Sequence, residues 1–335
     1  MIVAILLTPL VWRAALWRWG PPASSLPPSY LPALDPPRER RPFQSDPVGD
    51  LQSMAPGYVI IGDSMAGRID PDRLTQLAQV PIAPVLQNAT GSAYWYLVFK
   101  NYVVRSGIKP KRVIVFFRDT NLTDPMFRIG DASYRNLDEV ALDREDELNA
   151  VLATRVEGPW FRAHRAINRA YAVDRTRAWL EPQISARSAA FVVPAPRAQA
   201  DFLANLNRMF ALDQLRPMVA ADIAAAEDPD ADFSANVGTS VLPIFLQLAK
   251  AHDLRLCFVR VLRRPQDGKP PPQSARMTRY VQDLRAYLEA RGAVFRDDRD
   301  DPDMASIKYA DGDHIDRDER IRYTDALFAR TRIFR

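Results

Sequence analysis

Five short apolar runs constrain this chain more than any other feature. They are "YVIIG" (58–62), "APVLQNA" (83–89), "RVIVFFRDT" (112–120), "LRLCFVRV" (254–261) and "GAVFRD" (292–297). Each is too short for a stable helix, is bounded by turn residues, and is rich in β-branched or aromatic side chains. Continuous apolar runs, rather than alternating ones, predict strands covered on both faces, and so a parallel sheet. Parallel strands need crossover connections, and the segments between the runs carry helical spacing. In "SARMTRYVQDLRAYLEARG", Met277, Tyr280, Val281, Leu284, Tyr287 and Leu288 follow the i, i+3, i+4, i+7 pattern, and Gly292 stands where a C-terminal capping glycine belongs. "TSVLPIFLQLAKAHD" offers Thr239 and Ser240 as caps and Pro243 in its first turn. "VVRSGIKPK" reads as the turn before the third strand. Repeated βα units predict one doubly wound α/β domain with a mostly parallel five-stranded sheet.

The remaining segments read differently. Residues 1–19, "MIVAILLTPLVWRAALWRW", open with twelve uncharged residues. As a helix they would span about 28 Å, close to a hydrocarbon core. Arg13 and Arg18 can snorkel, and Trp12, Trp17 and Trp19 suit an interface. With no basic stretch before it and no A-x-A site, the segment reads as an uncleaved membrane anchor rather than a secretory signal. Residues 20–43 hold eight prolines, so 20–55 reads as a stiff extended linker. The folded domain is expected over 56–335. Within it, about 121–236 is far longer than a crossover needs. It reads as a helical insertion beside the carboxyl ends of the strands, where α/β folds bind ligands.

Composition narrows the chemistry. A net charge of +4 over 335 residues, with arginines interleaved among acidic residues, gives no nucleic-acid footprint. One cysteine, Cys257, inside an apolar strand, reads as a small core residue. Three histidines (His164, His252, His314) argue against a multi-histidine metal site, and no cofactor motif is present. "RDDRDDPD" (296–303) lacks the glycine and the final glutamate of a calcium loop and reads as solvated. The arginines of 162–177 read as a solvated helix face. His164 and His252 are assigned no role.

Chemistry concentrates at two distant points. Ser64 follows the first strand directly, in "IIGDS", and is either a helix cap or a nucleophile. Far downstream, "YADGDHIDRDER" places Asp311 three residues before His314. A nucleophilic serine needs a base, and the base needs an acceptor on its other nitrogen. A D-x-x-H turn can supply both from one segment; Asp313 is a rival acceptor, ranked below Asp311 because adjacent side chains diverge. Arg260, at the end of the fourth strand, either binds an anionic substrate or pairs with the many aspartates. The "YWY" at 94–96 reads first as core.

This arrangement resembles the SGNH (GDSL-type) hydrolase superfamily. "IIGDS" matches its first block, "NATGSA" (88–93) its second and "DGDH" (311–314) its last, in the family's order. The resemblance covers about 56–330 and implies a flavodoxin-like three-layer fold. It implies a Ser64–His314–Asp311 triad and an oxyanion site formed by the amides of Ser64 and Gly91. The third block departs: where the family has Gly-x-Asn-Asp, this chain has "FFRDTNLTDP". Arg118, Thr120 or Asn121 stands in place of the usual asparagine, with Asn121 taken as the oxyanion candidate and Arg118 as a substrate-binding one. A missing third-block asparagine is also found in the family's polysaccharide O-acetylation branch. There the SGNH domain is anchored or exported and works beside a membrane-bound O-acyltransferase. The resemblance therefore implies a carbohydrate O-acetyltransferase on the periplasmic or extracytoplasmic face of a membrane. The alternatives are a carbohydrate or lipid esterase and a glycan-binding scaffold without activity.

Overall fold

The computed structural model describes residues 11, 14, 46–87, 90–126, 136–138, 140–141, 145–155, 163, 231–265, 268–310, 314–330 and 332–334. Apart from Val11, Ala14 and Ala163, these belong to one unit running over 46–158 and 226–335. Most of the proposed anchor, of the linker and of the insertion lies outside the described residues. Among the described residues, no helix is long and apolar enough to cross a membrane.

All five expected strands form: β1 (Tyr58–Gly62), β2 (Ile82–Leu86), β3 (Arg112–Phe117), β4 (Leu256–Arg260) and β5 (Val294–Asp297). They make one sheet in the order β2-β1-β3-β4-β5, and every pairing is parallel. The helices of the same unit are α1 (Pro47–Met54), α2 (Pro71–Ala78), α3 (Ser92–Val98), α4 (Asp146–Arg155), α5 (Phe233–Val237), α6 (Leu242–Ala251), α7 (Ala275–Glu289) and α8 (Arg320–Arg330). A 3-10 helix, Ser64–Arg68, follows β1, and α3 continues as a π-helical stretch, Phe99–Val104.

Alternation along the strands sorts the core into two layers. Ile60, Ile114, Phe116, Cys257 and Val259 pack with Leu74 of α2 and with Tyr323 and Leu327 of α8. On the other face the ring of Phe258 meets Phe245 of α6, which in turn meets Tyr96 of α3 and Phe99. Helices therefore cover both faces, which is why the strands carry no polar alternation. Cys257 is a core residue, and burial pushes its thiol up to about 12. The "YWY" triplet is buried as well. In α7 the predicted face is buried at Met277, Tyr280, Val281, Leu284 and Leu288, and Gly292 adopts φ +76° just past the helix.

Three local expectations need correction. The folded unit begins about ten residues earlier than expected, because 47–54 is a helix and not linker. Asp46 caps it through Gly49 N–H, Pro47 opens it, and Leu51 is fully buried. Within "VVRSGIKPK", Val103 to Ser106 end a helix and do not form a turn; the turn proper comes at Gly107, φ +69°. "RDDRDDPD" is not a solvated loop: Asp297, Asp298 and Asp301 are buried. Each carboxylate faces an arginine, at Arg260, Arg68 and Arg296 respectively.

The ends of the insertion also differ from a simple roof. Asn121–Met126 fold tightly against the start of α3. Phe233 of α5 sets its ring against Tyr280 and Tyr287 of α7. The described ends of 121–236 are thus parts of the α/β unit itself.

Candidate active site

The strand order reverses at β1: the chain runs outward from β1 to β2, then returns to β3 on the other side. In such sheets the crevice lies outside the carboxyl ends of the strands at this switch point. The turns that follow β1 and β3 flank it.

The turn after β1 is unusually tight, and Gly62 makes it so. A Cβ at position 62 would lie 2.7 Å from the Ala66 Cβ and 3.2 Å from the Phe116 carbonyl oxygen. Without that methyl the 3-10 helix folds straight back over the strand end. Asp63 then caps it, accepting from Met65 N–H at 2.8 Å. Asp63 is buried, and that burial raises its carboxyl above the usual range; Met65 N–H, Arg118, Arg68 and His314 act in the opposite direction. Ser64, at the first position of the helix, remains partly exposed. Its Oγ lies 2.9 Å from Nε2 of His314. These two residues are 250 positions apart in the chain, so only the fold brings them together.

The neighbouring loops are stitched to this turn. Gln87 N–H, after β2, donates to the Gly62 carbonyl at 3.1 Å. Thr90 Oγ1 donates to the Gln87 carbonyl at 2.8 Å and accepts from Trp95 Nε1 at 3.1 Å. That chain of bonds holds Gly91 at the N-cap of α3. After β3, Asn121 N–H donates to the Arg118 carbonyl at 3.0 Å, and Ala93 N–H donates to the Pro125 carbonyl at 3.1 Å. Ser92 Oγ adds a bond to the Asp124 carbonyl at 3.0 Å. The described parts of the first, second and third blocks therefore meet as one stitched set of loops. Among the described residues, no acceptor is found for the Ser64 amide or the Gly91 amide. Asn121 is buried, and its Nδ2 finds no partner among the described residues.

Arg118 and Arg260 have separate fates. Arg118 sits beside the Ser64 turn, close enough to act on the Asp63 carboxyl, with its Nε 3.6 Å from Asp119 Oδ2. Arg260 is only 6% exposed. Strand register sets it level with Asp297, to which it donates at 2.8 Å. Its other nitrogen reaches Asp119 at 3.4 Å and Gln273 at 3.0 Å. Of the two readings given for Arg260, the pairing with aspartates is observed through its two terminal nitrogens, while its buried Nε has no partner among the described residues. Asp119 also accepts from Arg263 Nε at 2.9 Å. Burial works to raise the Asp119 carboxyl, but Arg263, Arg260 and Arg118 outweigh it and hold it below the usual range.

Asp311 and Asp313 lie outside the described residues, as does Asn88 of the second block. His314 itself is held by its backbone: its carbonyl accepts from Ala310 N–H at 2.8 Å, and Tyr309 bridges to Ile315 beside it. His252 closes α6 through its N–H and accepts from Lys109 Nζ on its carbonyl, and His164 lies outside the described residues. Among the described residues, no group of three or more His, Cys, Asp or Glu side chains is placed to hold a metal ion.

Sequence reasoning missed Asp63 as a buried cap, Asp119 as the acceptor of the arginines, and Arg68, Asp298 and Tyr323 behind the site. The Asp63 cap was readable, because Gly-Asp-Ser before a helix is a capping pattern. The others have partners too distant in sequence to leave a local signal.

The fold and site define a parallel α/β protein with a serine–histidine pair at its switch point. No protein-family model matches the chain, and comparison with curated proteins returns no match.

Proposed function

We propose that this chain is an SGNH-type serine enzyme that transfers acyl groups through an acyl-Ser64 intermediate. We assign it as an O-acetyltransferase of a cell-surface or exported polysaccharide. One observation carries the enzymatic part: a partly exposed Ser64 Oγ at 2.9 Å from His314 Nε2, beyond the carboxyl end of β1 at the switch point of the sheet. A serine that merely capped the 3-10 helix would not be needed, because Asp63 already does this.

The chemistry follows from the positions. His314 takes the Ser64 proton on Nε2 as Oγ bonds to the acyl carbon. The carbonyl oxygen becomes an oxyanion, which the amides of Ser64 and Gly91 are free to receive; donors of this kind are each worth about 3 kcal/mol. Asn121 Nδ2 is the third candidate donor. The tetrahedral adduct collapses, the bond to the leaving group breaks, and His314 returns the proton to that group. A hydroxyl acceptor then repeats the sequence in reverse and carries the acyl group away. Asp311 is assigned, by resemblance alone, to orient His314.

The acetyltransferase assignment, the carbohydrate acceptor, the membrane anchor in 1–19, the extracytoplasmic location and a membrane-bound O-acyltransferase partner all rest on the resemblance. One experiment tests the acceptor. Purified protein receives a small activated acetyl ester, with and without an oligosaccharide. The proposal expects slow hydrolysis alone, faster turnover with the sugar, and a gain of acetyl mass on the sugar. Net removal of acetyl from a pre-acetylated sugar, with no stimulation by the bare acceptor, would instead establish the esterase.

A further inference from the structure

Behind the Ser64–His314 pair lies a buried knot that the proposed chemistry does not use. Arg68 ends the 3-10 helix that begins at Ser64, and it is 2% exposed. Its Nε donates to the Met65 carbonyl at 2.9 Å, within its own helix. Its Nη1 reaches the Leu262 carbonyl at 3.5 Å and lies 3.9 Å from Asp298 Oδ2. The guanidinium sits over two rings, 5.3 Å from the centroid of Tyr323 and 5.9 Å from that of Tyr309. Those tyrosines bind the same acceptors: Tyr323 OH donates to Asp298 Oδ2 at 2.6 Å, and Tyr309 OH to the Leu262 carbonyl at 2.8 Å.

Two of these contacts lead directly to His314. Tyr309 is the bridge partner of Ile315, and the bonds from Ala310 N–H to His314 O (2.8 Å) and Asp316 N–H to Lys308 O (2.9 Å) close the loop around it. Tyr323 lies on α8, which follows the same segment. Arg68 therefore touches both the helix that carries the serine and the segment that carries the histidine.

Burying an arginine here is a poor route to stability, since well-packed apolar residues do as well or better. What an arginine adds is a rigid planar fork with fixed bonding directions. The acid opposite it is also fully buried, and its Oδ1 has no partner among the described residues. The groups that act on Asp298 are Arg68 and Tyr323 from the facing elements, and Arg296 and Asp297 from its own segment. Arg296 is itself bound to Asp301 at 2.6 Å. Arg68 is thus the cation delivered to Asp298 from the side of the serine.

We infer that Arg68 is a positioning residue for the Ser64–His314 pair, clamped by Asp298 and Tyr323, so that nucleophile and base are held as one body. The inference rests on the reading of Ser64 as nucleophile. Misplacing reacting groups by about 1 Å can cost about 10²-fold in rate, so a loosened clamp should be visible in turnover before it is visible in binding.

The test compares the full chain with its Arg68→Lys, Tyr323→Phe and doubly substituted forms. Three quantities are read per folded molecule: the rate of labelling by a fluorophosphonate, and kcat and KM on p-nitrophenyl acetate. Arg68→Lys keeps the charge and loses the fork; labelling and kcat are expected to fall about tenfold or more, with KM within about twofold. Tyr323→Phe keeps the ring and should show a smaller loss of the same kind. The double variant should lose less than the product of the two, because both act through one clamp. Folded variants that label and turn over within about twofold of the parent would overturn the clamp, as would a change confined to KM. If Arg68→Lys does not fold, Tyr323→Phe alone decides. A parent protein that never labels would remove the nucleophile reading and the clamp with it. A parent that labels beside unaffected variants removes the clamp only.

Discussion

The carboxyl ends of β1 and β4 lie at the same edge of the sheet, and each carries a residue that sequence marks for function. They come out differently. After β1, Ser64 stays partly exposed, with its hydroxyl on a histidine drawn from the far end of the chain. At the last position of β4, Arg260 is buried, with both terminal nitrogens committed to Asp297, Asp119 and Gln273. A position at a strand end makes a residue available to the crevice. Whether it remains available depends on what its neighbours already satisfy.

The largest effect that would sharpen the comparison is on the β1 side. His314→Ala removes the base from Ser64, and kcat on an activated ester should fall on the order of 10⁴-fold, with thermal stability little changed. Adding Ser64→Ala should cost little more, because the two share one step. Additive losses would break the pair into independent residues.

On the β4 side the expected damage is to stability. Arg260→Met leaves Asp297 and Asp119 buried with less countercharge, and denaturant unfolding should show a loss of about 3–5 kcal/mol. Unchanged stability, with weaker binding of an anionic sugar, would return Arg260 to the site and erase the contrast.

Asp298 gives a third contrast, read in pH. Burial raises its carboxyl to about 6, against the opposing pull of Arg68, Tyr323 and Arg296. An exposed aspartate titrates near 3.9, so between about 4 and 6 the folded chain holds a proton that the unfolded chain has lost. Asp298 therefore favours the fold increasingly as pH falls through 6, fully so only below about 4, and this contribution is lost as pH rises above 6. The stability of the parent minus that of Asp298→Asn should rise by about 2 kcal/mol from pH 7 to pH 4. A flat difference would show that Asp298 is charged throughout.

The smallest effect concerns the third block. If Asn121 Nδ2 serves the oxyanion, Asn121→Ala should lower kcat about 10²-fold, leaving KM and stability near the parent values. An unchanged kcat assigns the buried amide to the loop after β3 alone.

How much of this was readable in the sequence depended on range. The strands were legible because β1 through β5 are continuous apolar runs, and α7 because its buried face keeps helical spacing. Ser64 and His314 were legible as residue types at the two ends of a family-like order. Short-range signals that were overlooked, such as Asp46 and Pro47 opening α1 inside a proline-rich stretch, were readable in principle. The acidic run 296–303 was not. Its partners Arg68 and Arg260 lie far away in sequence, and a run of aspartates without visible partners looks like a solvated loop. Arg68 stayed invisible for the same reason: nothing near it in sequence marks Asp298, Tyr309 and Tyr323, which close over it.

The central claim is that Ser64 is a nucleophile activated by His314. Its most direct test is labelling of the intact protein by a fluorophosphonate, followed by mass spectrometry of the peptide that contains residue 64. The account predicts one phosphonyl group on Ser64, slowed strongly in His314→Ala and absent in Ser64→Ala. Labelling that persists in Ser64→Ala, or a folded parent protein that remains unlabelled, would contradict it.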